Sequence, residues 1–153
     1  MKYLLSCVFL TFFLSACDNA SRDDSGVVIE SGDIDVFSMR VGDCFNDVNY
    51  EVDVYDVPGI PCSEPHDNEV FAIYDTTLAT FPGGDEMSDI AFEECIAYFE
   101  EYVGRDYPSS MLDVFPITPT LESWNQANDR EINCALFQMD SKKLEGTMKN
   151  SKL

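Results

Sequence analysis

The chain has 153 residues, 29 of them acidic against nine basic, for a net charge of −20, and it holds a single histidine. So acidic a chain repels phosphate backbones and anionic lipid surfaces, which excludes nucleic acid as a partner. A solvated acidic surface accounts for most of this charge and is compatible with solubility, salt tolerance or attraction to cations and basic partners.

Residues 1–16 of MKYLLSCVFLTFFLSAC read as an export signal. Lys2 precedes an apolar run from Tyr3 to Ala16, shorter than the ~20 residues a membrane span needs. Leu14-Ser15-Ala16-Cys17 has the form of a bacterial lipobox, in which the cysteine is acylated and becomes the new N-terminus. Two or more acyl chains give stable anchoring. The expectation is a chain held by lipidated Cys17 on the outer side of the cytoplasmic membrane, the periplasmic face in a Gram-negative cell, with the outer membrane as the other destination. Asp18 resembles the inner-membrane retention signal of enteric-type bacteria. The terminal Ser151-Lys152-Leu153 matches a peroxisomal address, which the export signal makes accidental.

Residues 17–33 are polar and acidic with interspersed Ser and Gly, and they read as a flexible tether with a reach of ~20–25 Å. One domain follows, over 34–153. IDVFSMRV (34–41), closed by Gly42-Asp43, reads as a strand, as does YEVDVYDV (50–57), which alternates apolar and acidic residues and stops at Pro58-Gly59. EVFAIYDT (69–76) reads as a third strand. The period then changes: Phe92, Cys95, Ile96, Phe99, Tyr102 and Val103 form a helical stripe. Asp85, Glu86 and Asp89 sit near its N-terminal dipole end, and Gly104 suits the position after its last turn. Glu93, Glu94, Glu100 and Glu101 fall on its wet side.

MLDVFPI (111–117) reads as strand, and Pro116 and Pro119 impose an extended loop towards Trp124. EINCALFQM (131–139), almost continuously apolar, reads as a central strand, and LEGTM in the tail as a last edge strand. The fold expected is α+β: a small antiparallel sheet covered by one main helix.

Cys7 leaves with the signal and Cys17 carries lipid, so Cys44, Cys62, Cys95 and Cys134 remain as an even set in an oxidising compartment. Four cysteines allow three pairings; joining neighbouring segments favours Cys44–Cys62 with Cys95–Cys134.

VGDCF (41–45), PCSEPHDNEVFAIY (61–74), the helical Cys95 and PTLESWNQANDREINC (119–134) follow one another in an order that resembles the bacterial septum-formation domain family. The resemblance spans roughly residues 36–140 and implies a link to division or the cell envelope, with no established reaction. Asn128 stands where that family has Gly, and Asn is the residue other than glycine that best tolerates left-handed φ.

His66 with Asp67 and Glu69 supplies too few ligands for a zinc centre if the cysteines are disulfides. No nucleophile elbow or oxyanion loop accompanies Ser63 and His66. Asp43, Asp47, Asn49 and Glu51 have suggestive spacing for calcium, but lack the EF-hand glycine and closing glutamate. His66 is therefore read as bracing a turn, Trp124 as a core plug and Arg130 as paired with an acid. A binding role for His66, Glu69, Trp124 and Arg130 stands as the alternative, with Arg130 recognising a carboxylate on an envelope polymer. The expectation is a non-enzymatic binding or adaptor module without cofactor, whose partner is an envelope protein or cell-wall component. The alternatives are an envelope hydrolase using acidic residues and a divalent-cation-binding surface protein.

Overall fold

The computed structural model describes residues 19–48 and 54–153. The expected export signal, Cys17, and residues 49–53 with part of the expected second strand lie outside the described residues. In chain order the elements are β1 (Ser21–Arg22), β2 (Val28–Glu30), β3 (Gly32–Asp35), a 3-10 turn (Val36–Ser38), β4 (Cys44–Phe45) and β5 (Asp56–Ile60). Then come β6 (Asn68–Asp75), α1 (Gly84–Val103), a second 3-10 turn (Tyr107–Ser109), β7 (Leu112–Ile117), α2 (Leu121–Gln126) and β8 (Glu131–Gln138). β1 and β2 pair as a hairpin, while β3 to β8 form one antiparallel sheet in the order β3-β5-β4-β6-β8-β7. The fold is α+β, with one main helix and the disulfides Cys44–Cys62 and Cys95–Cys134.

β8 is apolar from Cys134 to Phe137 because both of its faces are covered. Ile132, Cys134 and Leu136 join the core under α1, and Ala135 joins a second core with Val28, Ile34, Val36, Phe45, Val57 and Val70. α1 buries Met87, Ala91, Cys95 and Phe99 at intervals of four, with Tyr102 and Val103 closing the stripe. Phe92 and Ile96 flank it half-buried, and Glu93, Glu94, Glu100 and Glu101 are exposed. Gly104 ends the helix in the left-handed region at φ 79°, its N–H bonded to the Glu100 carbonyl; only glycine takes that conformation freely. Cys95–Cys134 ties α1 to the interior strand β8, and Cys44–Cys62 ties β4 to the segment just after β5.

Several boundaries differ from the sequence reading. The strand expected over 34–41 turns into a 3-10 turn at Val36, where the Asp35 carboxylate caps the Phe37 N–H. β5 runs through Pro58-Gly59 rather than stopping there. Pro58 is tolerated because its missing donor would face β4, which ends at Phe45, the partner of Gly59. Pro116 sits on β7, an edge strand, for the same reason. Trp124 lies on α2, started by a capping box between Thr120 and Ser123.

The larger differences are at the two ends of the domain. Residues 19–33, read as flexible tether, are folded: the Ala20 N–H bonds the Asp33 carbonyl at 3.0 Å, and Val28 is buried in the second core. The polar residues there build the turn, since the Asp23 carboxylate accepts from the Ser25 N–H, the Ser25 hydroxyl and the Val27 N–H. Arg22 then clamps the hairpin onto Asp43 through two bonds of 2.5 and 2.7 Å. The tail makes no edge strand. It forms a single bridge between Leu144 and His66 and plugs Leu144 and Met148 into the helix-side core.

Candidate functional site

The candidate binding residues of the sequence gather near the two ends of β6, with Glu69 alone lying on the strand. At its start, the chain leaves β5, turns through Pro61 and Pro65, and brings Cys44, His66 and Glu69 together. Ligand atoms of these three lie within 4.8 Å of one another. Cys44 and Glu69 are direct cross-strand partners, so their side chains share a face.

His66 is fully buried, and its backbone N–H and C=O both bond Leu144 of the tail, at 3.1 and 2.8 Å. The ring Nδ1 lies 2.8 Å from the Glu64 carbonyl. A carbonyl only accepts, so Nδ1 carries the hydrogen. Nε2 is buried with no hydrogen-bond partner.

Glu69 is a fully buried carboxylate with three donors. Tyr102 Oη reaches Oε1 at 2.6 Å and Thr147 Oγ1 reaches the same oxygen at 2.5 Å, while the Met148 N–H reaches Oε2 at 2.6 Å. Burial first, and then the neighbouring Glu69 charge, pushes the Tyr102 phenol well above its ordinary value. The tail was read as an edge strand and Tyr102 as one more apolar position, so neither of these partners was visible in the sequence. The tyrosine at the end of a helical stripe was the only available signal.

At the other end of β6, the Thr76 N–H bonds the Arg130 carbonyl. Trp124 is buried and packs edge-on against Phe81 at 5.7 Å, as a core plug would. Arg130 does not pair with an acid among the described residues. Its guanidinium lies 3.4 Å from the centroid of the Trp124 ring, and Nη1 donates to the Trp124 and Asp129 carbonyls. Stacking on an aromatic face satisfies the cation without a carboxylate. The turn before it holds Asn128 at φ 54°, the left-handed conformation that its position requires. Glu131 beside it has its carboxyl pushed up by burial, and by Asp129 and Asp75, against the lowering bond from Asn133.

His66 with Glu69, and Trp124 with Arg130, are therefore two separate pairs, about 20 Å apart at the 3.3 Å rise of a strand. The calcium spacing is not assembled as read, because Asp43 is buried and committed to Arg22 and the Arg40 N–H; Asn49 and Glu51 lie outside the described residues.

Between the two pairs, β6 has an open edge. The Val70 N–H and C=O bond Asp43 and Gly42 on the β4 side, and a bulge follows between Val70 and Ala72. From Thr76, which faces β8, the alternation directs the backbone groups of Ile73 and Asp75 away from β8. β4 ends at Phe45 opposite Asn68, and no other described segment donates to or accepts from that edge. The bulge turns both Phe71 and Ala72 to the helix side. Alongside lies a cleft of about 310 Å³, lined by Val41, Phe71, Ile73, Tyr98, Glu101 and Lys149 among others. Tyr98 and Val41 are exposed, and Tyr98 lies against Tyr74 at 5.7 Å. Burial, then Glu94 and Tyr98, raises the Tyr74 phenol above its ordinary value.

Among the described residues no helix is long and apolar enough to cross a membrane. No curated protein and no solved structure matches the chain. A family model described as Septum formation matches residues 41–152, reaching past the resemblance at 36–140 to include the tail that supplies Thr147 and Met148 to Glu69. The chain belongs to this septum-formation family, which links it to septum or cell-envelope processes.

Proposed function

We propose that the protein is a lipid-anchored binding module of the cell envelope, and that it takes up an extended segment of a partner envelope protein along the open edge of β6. The observation that carries the reading is the unpaired backbone of Ile73 and Asp75 beside the Tyr98 cleft. An added strand supplies the missing hydrogen bonds, and its alternate side chains fill the cleft. Glu101 lines the cleft, Asp75 is exposed on the edge, and Glu94 lies close by. Lys149 is the basic residue lining the cleft, and Arg130 near Asp75 is stacked on Trp124, so these acids suit a segment that alternates apolar residues with Lys or Arg. Two further observations support binding over turnover. His66 and Glu69 are enclosed and held by internal bonds, and Arg130 is stacked on Trp124. The lipobox at Cys17 provides the anchor in this reading.

The test has two arms. A photo-crosslinking residue at Tyr98 should capture one envelope polypeptide in intact cells, and the same residue at Glu93, on the exposed side of α1, should not. With a synthetic Val/Lys-alternating peptide, the Ile73 and Asp75 amides should gain protection from hydrogen exchange, and Ile73→Pro should abolish it. Equal capture from both positions, or unprotected amides at saturating peptide, rejects the reading. Cys17→Ser should release the chain from the membrane fraction; if it stays bound, the lipid anchor is rejected.

A further inference from the structure

We propose that Cys44, Cys62, His66 and Glu69 form a latent zinc(II) site, closed while the Cys44–Cys62 disulfide is intact and opened by a dithiol reductant. Three of the four donors are already gathered: ligand atoms of Cys44, His66 and Glu69 fall within 4.8 Å of one another. Cys62 Sγ is bonded to Cys44 Sγ. Tetrahedral zinc with bonds of about 2.0–2.3 Å places its ligands about 3.3–3.8 Å apart. Cys44, His66 and Glu69 therefore each need to move by about an ångström, and Cys62 Sγ has to swing clear of Cys44 once the bond between them is cut.

Two of the four donors are oriented as metal ligands are. A histidine that binds metal through one nitrogen typically donates its other N–H to a carbonyl or carboxylate, which fixes tautomer and ring direction. His66 does this to Glu64, and its Nε2 is left buried without a partner, an arrangement costly to keep for packing alone. Glu69 is likewise held by Tyr102, Thr147 and the Met148 N–H. Oε2 accepts only the last of these, so a lone pair remains for an ion.

The sulfurs decide when the site exists. A disulfide sulfur carries no thiolate charge, so the oxidised protein lacks two of its four ligands. Cys62 is half-buried, whereas Cys95 and Cys134 are fully buried, so an external thiolate reaches Cys62 first. It attacks Cys62 Sγ, forms a mixed disulfide and expels Cys44 as a thiolate. The second thiol of the reductant then displaces Cys62 and leaves as a cyclic disulfide, having supplied both electrons. Binding of Zn²⁺ returns the two thiol protons to water. Two thiolates, a carboxylate and a neutral imidazole around the ion sum to −1, so the pocket gains no net charge over the carboxylate alone.

The experiment uses the full chain, reduced with a dithiol, freed of it by gel filtration under argon, and titrated with Co²⁺ as a spectroscopic probe. The expected result is one Co²⁺ per chain with tetrahedral thiolate absorption, displaced by Zn²⁺, with native far-ultraviolet circular dichroism retained. X-ray absorption of the zinc form should give two sulfur and two nitrogen or oxygen ligands. The oxidised chain should show no thiolate absorption. His66→Gln should weaken binding at least tenfold. Should that variant lose its fold, Cys62→Ala at the half-buried position carries the same expectation and separates the site from the thiols of Cys7 and Cys17. The proposal is overturned if the reduced chain unfolds, binds no cobalt, binds it without thiolate absorption, or keeps its affinity within twofold in Cys62→Ala.

Discussion

Tyr102 Oη donates to Glu69 Oε1 over 2.6 Å, joining the last turn of α1 to strand β6 inside the core. The same carboxylate holds the tail through Thr147 and Met148, so one buried side chain fastens helix, sheet and C-terminus together. A hydrogen bond to a charged group contributes about 1.5–3 kcal/mol. Tyr102→Phe should lower unfolding free energy by about that amount, and Glu69→Leu by more, because it leaves the buried Tyr102 hydroxyl and Met148 N–H unmatched. Urea unfolding followed by tryptophan fluorescence measures both. An unchanged midpoint in Tyr102→Phe would mean that the helix does not depend on this link.

Arg22 and Asp43 form a bidentate ion pair with side chains 17% and 3% exposed. Removing one partner of a buried pair leaves the other charge uncompensated, at about 3–5 kcal/mol. The partial exposure of Arg22 places Arg22→Ala at the lower end, about 3 kcal/mol. Burial works against the Arg22 charge, but the Asp43 hydrogen bond outweighs it and raises its pKa. Deleting residues 19–27 should cost at least as much, whereas removal of a loose tether would leave the denaturation midpoint where it was.

What the sequence reveals, and what it hides, follows from the range of the interactions. α1 was legible because its stripe repeats within its own residues, and β8 because burial on both faces leaves an apolar run from Cys134 to Phe137. The disulfide pairing favoured from the sequence is the one formed, each bridge joining cysteines that are consecutive among the four, 18 and 39 positions apart. The β1–β2 hairpin was not legible, since its anchors are one valine and one arginine among acids, and the Arg22 partner lies 21 positions away. The tail was misread because Leu144 and Met148 pack without a repeating period, their places set by His66 and Glu69 nearly eighty residues earlier. Arg130 was expected to seek an acid in so acidic a chain, but Trp124 lies six positions before it, across a tight turn.

That turn gives a test of backbone preference alone. Asn128 adopts φ 54° and is exposed, so the position has a conformational demand and little packing demand. Asn128→Gly should leave stability within about 0.5 kcal/mol, because glycine takes left-handed φ freely but widens the unfolded ensemble. Asn128→Val should cost about 1–2 kcal/mol, the penalty for a Cβ-branched residue in that region. Thermal midpoints of the two variants decide the matter. A loss in Asn128→Gly as large as in Asn128→Val would point to a side-chain contact rather than the turn.

Tyr107 links the aromatic cluster above α1 to the sheet. Its ring stands edge-on to Phe99 at 5.4 Å and to Phe92 at 5.9 Å, and its hydroxyl donates to Asp113 on β7 at 2.6 Å. Burial first, and then the Asp113 carboxylate, pushes its phenol up to about 12 from an ordinary value of 10.0. The folded protein therefore holds this proton more tightly than the unfolded chain does. The stability it contributes is complete below the unfolded value and is lost as pH rises through the folded one. Between about pH 10 and 12 the protein should weaken progressively, with Tyr74 and Tyr102, also shifted upward, adding to the slope. Ultraviolet titration at the phenolate band should show a tyrosine ionising near the upper end of that window, and Tyr107→Phe should remove that step and flatten the loss of stability. If Tyr107→Phe leaves the alkaline slope unaltered, the Asp113 bond does not hold the proton.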